Sequence, residues 1–168
     1  MKKTLGFVIF AALLAAPASA QMMSAQSMPG AGALQYYVGT WACEAGPVGK
    51  PASKATATYT LDSGVLRQWV VVPPTGKMKS EYALQLSTAY DPKNKRYVQA
   101  EVDNQGNWSV DFAKPWTGNT EQWMDHASST TPGHSTTVRT DQNHFTFEGY
   151  PSMTATKATF KGSCTRST

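Results

Sequence analysis

Short stretches in which apolar and polar residues alternate make up most of this chain. From Gln35 onward, segments rich in Thr, Tyr, Val, Trp and Phe recur, and no long stretch has the 3.6-residue period of an amphipathic helix. Connectors such as Asp91-Pro92 and Asn104-Gln105-Gly106 separate them, because Pro and Gly suit turns that strand interiors reject. The pattern predicts about ten short strands, which is typical of an all-β sandwich or barrel. The predicted strands are Tyr36–Glu44, Lys54–Leu61, Val65–Val72, Glu81–Tyr90, Tyr97–Val102, Trp108–Phe112, Thr120–Ala127, Thr136–Thr140, His144–Gly149 and Thr156–Thr165.

The first 20 residues have the features of a bacterial signal peptide. Lys2 and Lys3 precede an apolar run from Leu5 to Leu14, and Ala18-Ser19-Ala20 is the small-x-small pattern that signal peptidase cleaves. The run is shorter than the roughly 20 residues that a membrane-spanning helix needs, so no membrane span is expected. We predict residues 1–20 as a cleaved signal peptide, residues 21–34 as a disordered leader and residues 35–168 as one domain. Its location would be periplasmic or secreted.

The charge of the chain gives little support to a role in nucleic-acid binding. The formal net charge is +4, and 4 − 2 = +2 remains after residues 1–20, which contain Lys2, Lys3 and no acidic residue. Basic residues are spread along the sequence, and the single cluster, Lys93-Asn94-Lys95-Arg96, lies in a predicted turn. We therefore expect no nucleic-acid partner.

The two cysteines, Cys43 and Cys164, lie on the first and last predicted strands. An even number in an exported chain predicts a disulfide, and two unpaired buried thiols are the alternative. Suppose that the two strands pair antiparallel with Cys43 opposite Cys164. The numbers of any two opposed residues then sum to 207, which places Trp41 opposite Arg166 and allows a cation–π contact. This pairing closes an antiparallel up-and-down β-barrel of about ten strands. A diagonal pairing of the cysteines is the other arrangement that the pattern permits.

Two stretches of the sequence resemble known families. Gly39-Thr40-Trp41 on the first strand, with Arg166 on the last, resembles the Gly-x-Trp motif and closing basic residue of calycins, the lipocalin superfamily. Ala89 to Val110 is similar to a family of secreted lipocalin-like bacterial proteins of unknown function, with a Tyr-Asp, a turn, a Tyr and an Asp-x-x-Gly hairpin. The resemblance implies structural roles for Gly39, Trp41 and Arg166, with the Trp ring at the barrel base under the basic residue. The resemblance implies no particular activity or ligand. The second lipocalin motif, Thr-Asp-Tyr, is absent.

The sequence contains none of the common catalytic or metal-binding motifs. It has no Gly-x-Ser-x-Gly elbow, phosphate-binding loop or dinucleotide-binding fingerprint. The spacings of His126, His134 and His144 match no zinc template, so we predict no catalytic residue, metal or cofactor. The alternative is a haem-binding or enzymatic barrel in which His144 or His126 projects into the lumen.

Aromatic residues are the main candidates for a binding site. Five Trp and seven Tyr either fill a core or line a cavity, and Glu121, Trp123 and Asp125 share one strand face, where carboxylates could bind a polar ligand. We predict a non-catalytic, monomeric or weakly dimeric barrel that binds a small, mainly apolar ligand in its lumen. A third alternative, an envelope structural or interaction protein without a ligand, would have an exposed apolar patch on the barrel wall. The candidate ligand-binding residues are Trp69, Tyr82, Trp108, Trp123 and Phe147.

Overall fold

A computed structural model describes residues 30–75 and 78–167, and its ten antiparallel strands form a closed barrel. The strands are β1 (Gly39–Pro47), β2 (Ser53–Asp62), β3 (Val65–Val72), β4 (Tyr82–Asp91), β5 (Arg96–Asp103), β6 (Trp108–Ala113), β7 (Thr120–Ser128), β8 (His134–Asp141), β9 (His144–Tyr150) and β10 (Phe160–Arg166). They follow one another round the barrel in chain order, and β10 pairs with β1. The predicted up-and-down barrel and its closure are confirmed. The predicted signal peptide lies outside the described residues.

The register between β1 and β10 is the one predicted from the cysteines. Cys43 is opposite Cys164, with the Cα atoms 4.1 Å apart and a disulfide between the side chains. Trp41 is opposite Arg166, whose guanidinium carbon lies 4.2 Å from the centre of the Trp41 ring. Because every strand has two neighbours, none of the ten presents a free edge for pairing with another chain.

One end of the barrel, the closed end, is covered by two short helical turns, α1 (Ala31–Leu34) and a 3-10 turn (Gln35–Tyr37). The indole N–H of Trp41 donates a hydrogen bond of 2.7 Å to the carbonyl of Tyr37. The guanidinium of Arg166 donates to the carbonyls of Tyr36 and Val38. The Trp and Arg of the resembled motif therefore attach the helical turns to the barrel.

Gly39, the first residue of β1, has a backbone conformation that other residues rarely adopt. Its φ is +125°, and a Cβ at this position would lie only 2.9 Å from Nη1 of Arg166. Glycine therefore permits both the turn into β1 and the close approach of the guanidinium.

Two predicted strand boundaries near the chain termini are wrong, and the predicted leader overlaps a short helix. The predicted leader, residues 21–34, includes α1, in which Leu34 is 1 % exposed; residues 21–29 lie outside the described residues. The first strand begins at Gly39 instead of Tyr36, because Tyr36 and Tyr37 form the 3-10 turn over the closed end. The last strand begins at Phe160 instead of Thr156. Among the described residues, no helix is long and apolar enough to cross a membrane.

Strands β5 and β6 differ from the usual arrangement, in which apolar side chains face the interior of a barrel and polar ones face outward. Trp41 is fully buried and faces the interior, and following the cross-strand register round the barrel identifies the inward face of every strand. On β5 and β6, this face carries polar residues except for the buried Tyr97 and Ala113 near the closed end, whereas the outward face carries mainly apolar ones. The inward polar residues are Gln99, Glu101, Asp103, Ser109 and Asp111. The outward residues are Val98, Ala100, Val102, Trp108, Val110 and Phe112.

Candidate functional site

The interior is tightly filled at the closed end and less so at the opposite end, which we call the mouth, where β1 ends at Pro47 and β10 begins at Phe160. Inward-facing Trp41 and Phe145, near the closed end, are buried. Inward-facing Val70, Leu84 and Phe147, nearer the mouth, are only half-buried. Water therefore reaches apolar interior side chains from the mouth.

Aromatic side chains line the mouth on two sides. The rings of Phe147 and Phe160 are stacked with their centroids 6.2 Å apart, and Gly162 leaves the space that the Phe147 ring occupies. Across the barrel, the hydroxyl of Tyr82 donates to Oδ2 of Asp103 at 3.2 Å. Burial, reinforced by the Asp103 carboxylate, raises the pKa of Tyr82 to about 12, so this hydroxyl remains a donor at neutral pH.

The five predicted ligand-binding residues do not form one site. Tyr82 and Phe147 lie at the mouth, and Trp123 faces the interior but is buried in the core. Trp69 and Trp108 are about half exposed and lie on the outer face, because their strand neighbours Gln68, Val70 and Ser109 face inward. These two indoles cannot line the interior.

The three histidines lie outside the barrel interior. His126 is exposed and packs against the outward-facing ring of Phe112, with the ring centroids 4.5 Å apart. His134 stacks on Tyr150, and His144 is exposed in the β8–β9 hairpin, where its Nδ1 lies 2.8 Å from Asp141. The alternative that a histidine projects into the lumen, as haem ligand or as catalytic base, does not match these positions.

Glu121 is a buried carboxylate near the closed end. It is 3 % exposed, accepts a hydrogen bond from the hydroxyl of Tyr37, and lies 3.8 Å from Nε of Arg139. Burial raises its pKa to about 7, although the hydrogen bond and the guanidinium act in the opposite direction. The guanidinium of Arg139 also lies over the Trp116 ring, at 4.7 Å. These contacts attach the helical turns to β7 and β8, so we assign Glu121 a structural role.

Three further carboxylates face the interior on adjacent strands nearer the mouth. Asp111 of β6 is opposite Asp125 of β7, and Glu101 of β5 is opposite Ser109 of β6. The Ser109 hydroxyl donates to Oδ2 of Asp111 at 2.9 Å, and the backbone N–H of Gly133 donates to Oδ2 of Asp125 at 2.6 Å. We call Glu101, Asp111 and Asp125 the acidic wall.

Burial disfavours the charged forms of two carboxylates of the acidic wall, Asp111 and Glu101. It raises the pKa of Asp111 to about 7, and the neighbouring Asp125 and Glu101 add to this shift. Burial also raises the pKa of Glu101, and Asp125 and Asp103 act in the same direction. Near neutral pH, the site can therefore take up either a proton or a positively charged group.

Sequence reasoning identified Asp125 as a lumen candidate but missed Asp111 and Glu101. Alternation shows which residues share a face, but on β6 the apolar face of Trp108 was taken as the interior one. The available signal was on β5, where Gln99, Glu101 and Asp103 also alternate with apolar residues. Two adjacent strands with acidic residues on a shared face would have indicated a polar patch.

Comparisons with known proteins support the fold alone. No family model matches the chain, and no curated protein sequence matches it. Among solved structures, the chain is similar to the crystal structure of Rv2717c from M. tuberculosis, with a TM-score of 0.62 and 10 % sequence identity. The match covers 84 % of this chain and 99 % of that one. The overall fold is therefore similar, and no family assignment follows.

Proposed function

We propose that this protein is an exported, non-catalytic, lipocalin-like barrel that binds a small, mainly apolar ligand through its mouth. The observation that carries the proposal is the difference in burial between the two ends of the interior. Inward-facing apolar side chains are buried at the closed end, whereas Val70, Leu84 and Phe147 remain half-buried. A ligand seated there would remove this apolar surface from water, which favours binding by about 25 cal/mol per Å².

The closed end supports a binding role because it is rigidly built. The indole N–H of Trp41 and the guanidinium of Arg166 attach the helical turns by hydrogen bonds, so a ligand would enter only from the mouth. The disulfide between Cys43 and Cys164 is compatible with an oxidising compartment, such as the periplasm.

A fluorescent probe tests this proposal. The mature protein is titrated with the neutral, apolar dye N-phenyl-1-naphthylamine, and we expect saturable enhancement of its fluorescence. Leu84→Gln, on the inward face, should weaken binding at least tenfold. Val102→Gln, which likewise replaces an aliphatic side chain by Gln but on the outward face, should leave dye binding unchanged. Absence of saturable binding, or equal effects of the two variants, would contradict the proposal.

A second candidate function, self-association through the outer wall, is favoured by a row of exposed side chains. The register aligns Trp69, Gln85, Val102 and Trp108 across β3 to β6, and Trp69 and Trp108 are 50 % and 46 % exposed. The row spans three strand spacings, about 14 Å, and contains no charged residue. Such a patch suits a weak dimer.

Sedimentation velocity over a range of protein concentrations tests the second candidate. We expect a weak dimer that the double substitution Trp69→Ser and Trp108→Ser converts to a monomer without changing dye binding. A wild-type protein that remains monomeric at high concentration would eliminate this candidate and leave the ligand-binding proposal standing.

A further inference from the structure

The acidic wall lacks a positively charged partner among the described residues. Glu101, Asp111 and Asp125 lie on the inward faces of three adjacent strands. In residues 30–75 and 78–167, the ion pairs join Arg96 to Asp91, Arg139 to Glu121 and His144 to Asp141, and none reaches the acidic wall. The three carboxylates therefore face the interior from neighbouring strands without a neutralising side chain from that part of the chain.

Within the described part of the chain, one buried carboxylate oxygen of the acidic wall has no hydrogen-bond donor. Asp111 is 4 % exposed, and its Oδ2 accepts from Ser109 at 2.9 Å and, more weakly, from Gln99 at 3.5 Å. The hydroxyl of Thr88 donates to Oε1 of Gln99, which orients the amide N–H toward Asp111. The other oxygen, Oδ1 of Asp111, is buried and has no hydrogen-bond partner in residues 30–75 and 78–167. A buried acceptor without a donor costs about 1–3 kcal/mol, so a ligand that supplies a donor gains this energy.

The strand register places two of the carboxylates opposite each other. Val110 pairs with Ala127, but the next residue, Asp111, pairs with Asp125, so β7 has one extra residue, His126, at this point. Without this bulge, Asp111 would be opposite His126. Like charges directly opposite on a sheet are destabilising, and a cation between them reverses the sign of the interaction.

We propose that the acidic wall is the binding site for the head group of a primary amine whose hydrocarbon part lies in the mouth. An ammonium group has three N–H donors and a positive charge, which suits Oδ1 of Asp111 together with the carboxylates of Asp125 and Glu101.

The surroundings of the acidic wall suit the rest of such a ligand. Leu86 of β4 is directly opposite Glu101, and Leu84 is next on the same face toward the mouth. An alkyl chain would pack on these leucines while the ammonium group contacts the carboxylates. This inference rests on the proposed function, and it assigns the class of ligand: a small amphipathic amine.

Three probes with the same alkyl chain test the inference. The mature, disulfide-bonded protein is titrated at pH 8 with decylamine, decanol and decanoate, and each is measured by displacement of N-phenyl-1-naphthylamine. We expect decylamine to bind at least tenfold more tightly than decanol, and decanoate to bind most weakly. Lowering the pH from 8 to 5.5 should weaken decylamine binding and leave decanol binding unchanged, because Asp111 takes up a proton whereas the amine stays charged.

Charge-neutralising variants locate the site. Asp111→Asn and Glu101→Gln keep the size of the side chain, and each should weaken decylamine binding at least tenfold without affecting decanol. Glu44→Gln removes an exposed charge from the outward face of β1 and should affect neither probe. Circular dichroism shows whether each variant folds. If Asp111→Asn does not fold, Glu101→Gln still tests the site.

The outcomes separate the inference from the function on which it depends. If decylamine and decanol bind equally and the interior variants have no effect, the inference is wrong but the barrel still binds apolar ligands. If none of the decyl compounds and no dye binds, the proposed function itself fails. A protonated-carboxyl infrared band that persists at pH 7 in the presence of decylamine, and that Asp111→Asn removes, would show that a proton, instead of an amine, fills the site.

Discussion

Reduction of the disulfide between Cys43 and Cys164 should lower the stability of the barrel without unfolding it. The bond joins positions 121 residues apart. In the chain-entropy model, a loop of this length restricts the unfolded chain enough to stabilise the fold by about 5 kcal/mol. The barrel from Gly39 to Arg166 has 166 − 39 + 1 = 128 residues. At the average unfolding entropy per residue, we therefore expect the Tm to fall by roughly 15–20 °C.

The measurement is differential scanning calorimetry of the protein with and without a phosphine reductant, with far-ultraviolet circular dichroism at 25 °C. The double substitution Cys43→Ala and Cys164→Ala is the control, because it should melt near the reduced wild type and be insensitive to reductant. A fall in Tm of less than about 4 °C would refute the entropy argument. Loss of the strand signal at 25 °C would show instead that the bond is needed to keep the folded barrel closed.

Three other predictions concern the closed end. Arg166→Ala should lower the free energy of unfolding in urea by about 3 kcal/mol, because it loses the contact with Trp41 and the hydrogen bonds to backbone carbonyls. Arg166→Lys should lower it clearly less. Equal losses for the two variants would contradict this account. Gly39→Ala should cost about 1–3 kcal/mol in the same assay, because φ is +125°, and an unchanged midpoint would show that the strand start adapts. Glu121 has an ordinary pKa of 4.5 that burial raises to about 7, so the folded state binds the extra proton and the free energy of unfolding should fall as pH rises from about 4.5 through 7. Glu121→Gln should reduce this fall in the free energy of unfolding by up to about 3 kcal/mol between pH 4.5 and 8. The variant should still lose some stability as pH rises, because the pKa of Asp111 is also raised. Identical pH profiles for the wild type and the variant would refute the raised pKa of Glu121.

Most of the fold could be predicted because its signals are local. Turn residues separate the strands, and β3 begins and ends where alternation placed it, at Val65 and Val72. The cysteine positions added one long-range constraint, from which the pairing of Trp41 with Arg166 followed. The 3-10 turn over the closed end was not predicted, because Tyr36 and Tyr37 continue an apolar pattern that also suits a strand.

The candidate site was only partly predictable, for a different physical reason. A period of two assigns residues to two faces but does not say which face is inside. The usual assumption is that the apolar face of a strand is the interior one, and it holds on β4, where Leu84 and Leu86 face inward. On β6 it fails, because Trp108 faces outward and Asp111 faces inward. Choosing between the faces requires the register with neighbouring strands, which single-strand patterns do not contain.

The bond between the first and last strands makes the barrel a covalent ring. All nine connections between consecutive strands lie between Cys43 and Cys164. A protease that cuts one exposed hairpin, for example at Gln105 or Asn143, would therefore leave a single covalently joined molecule in which both new ends remain tethered to the barrel. One such cut would not release a fragment from the barrel. Two cuts, or one cut followed by reduction, would be needed to separate the strands into different molecules.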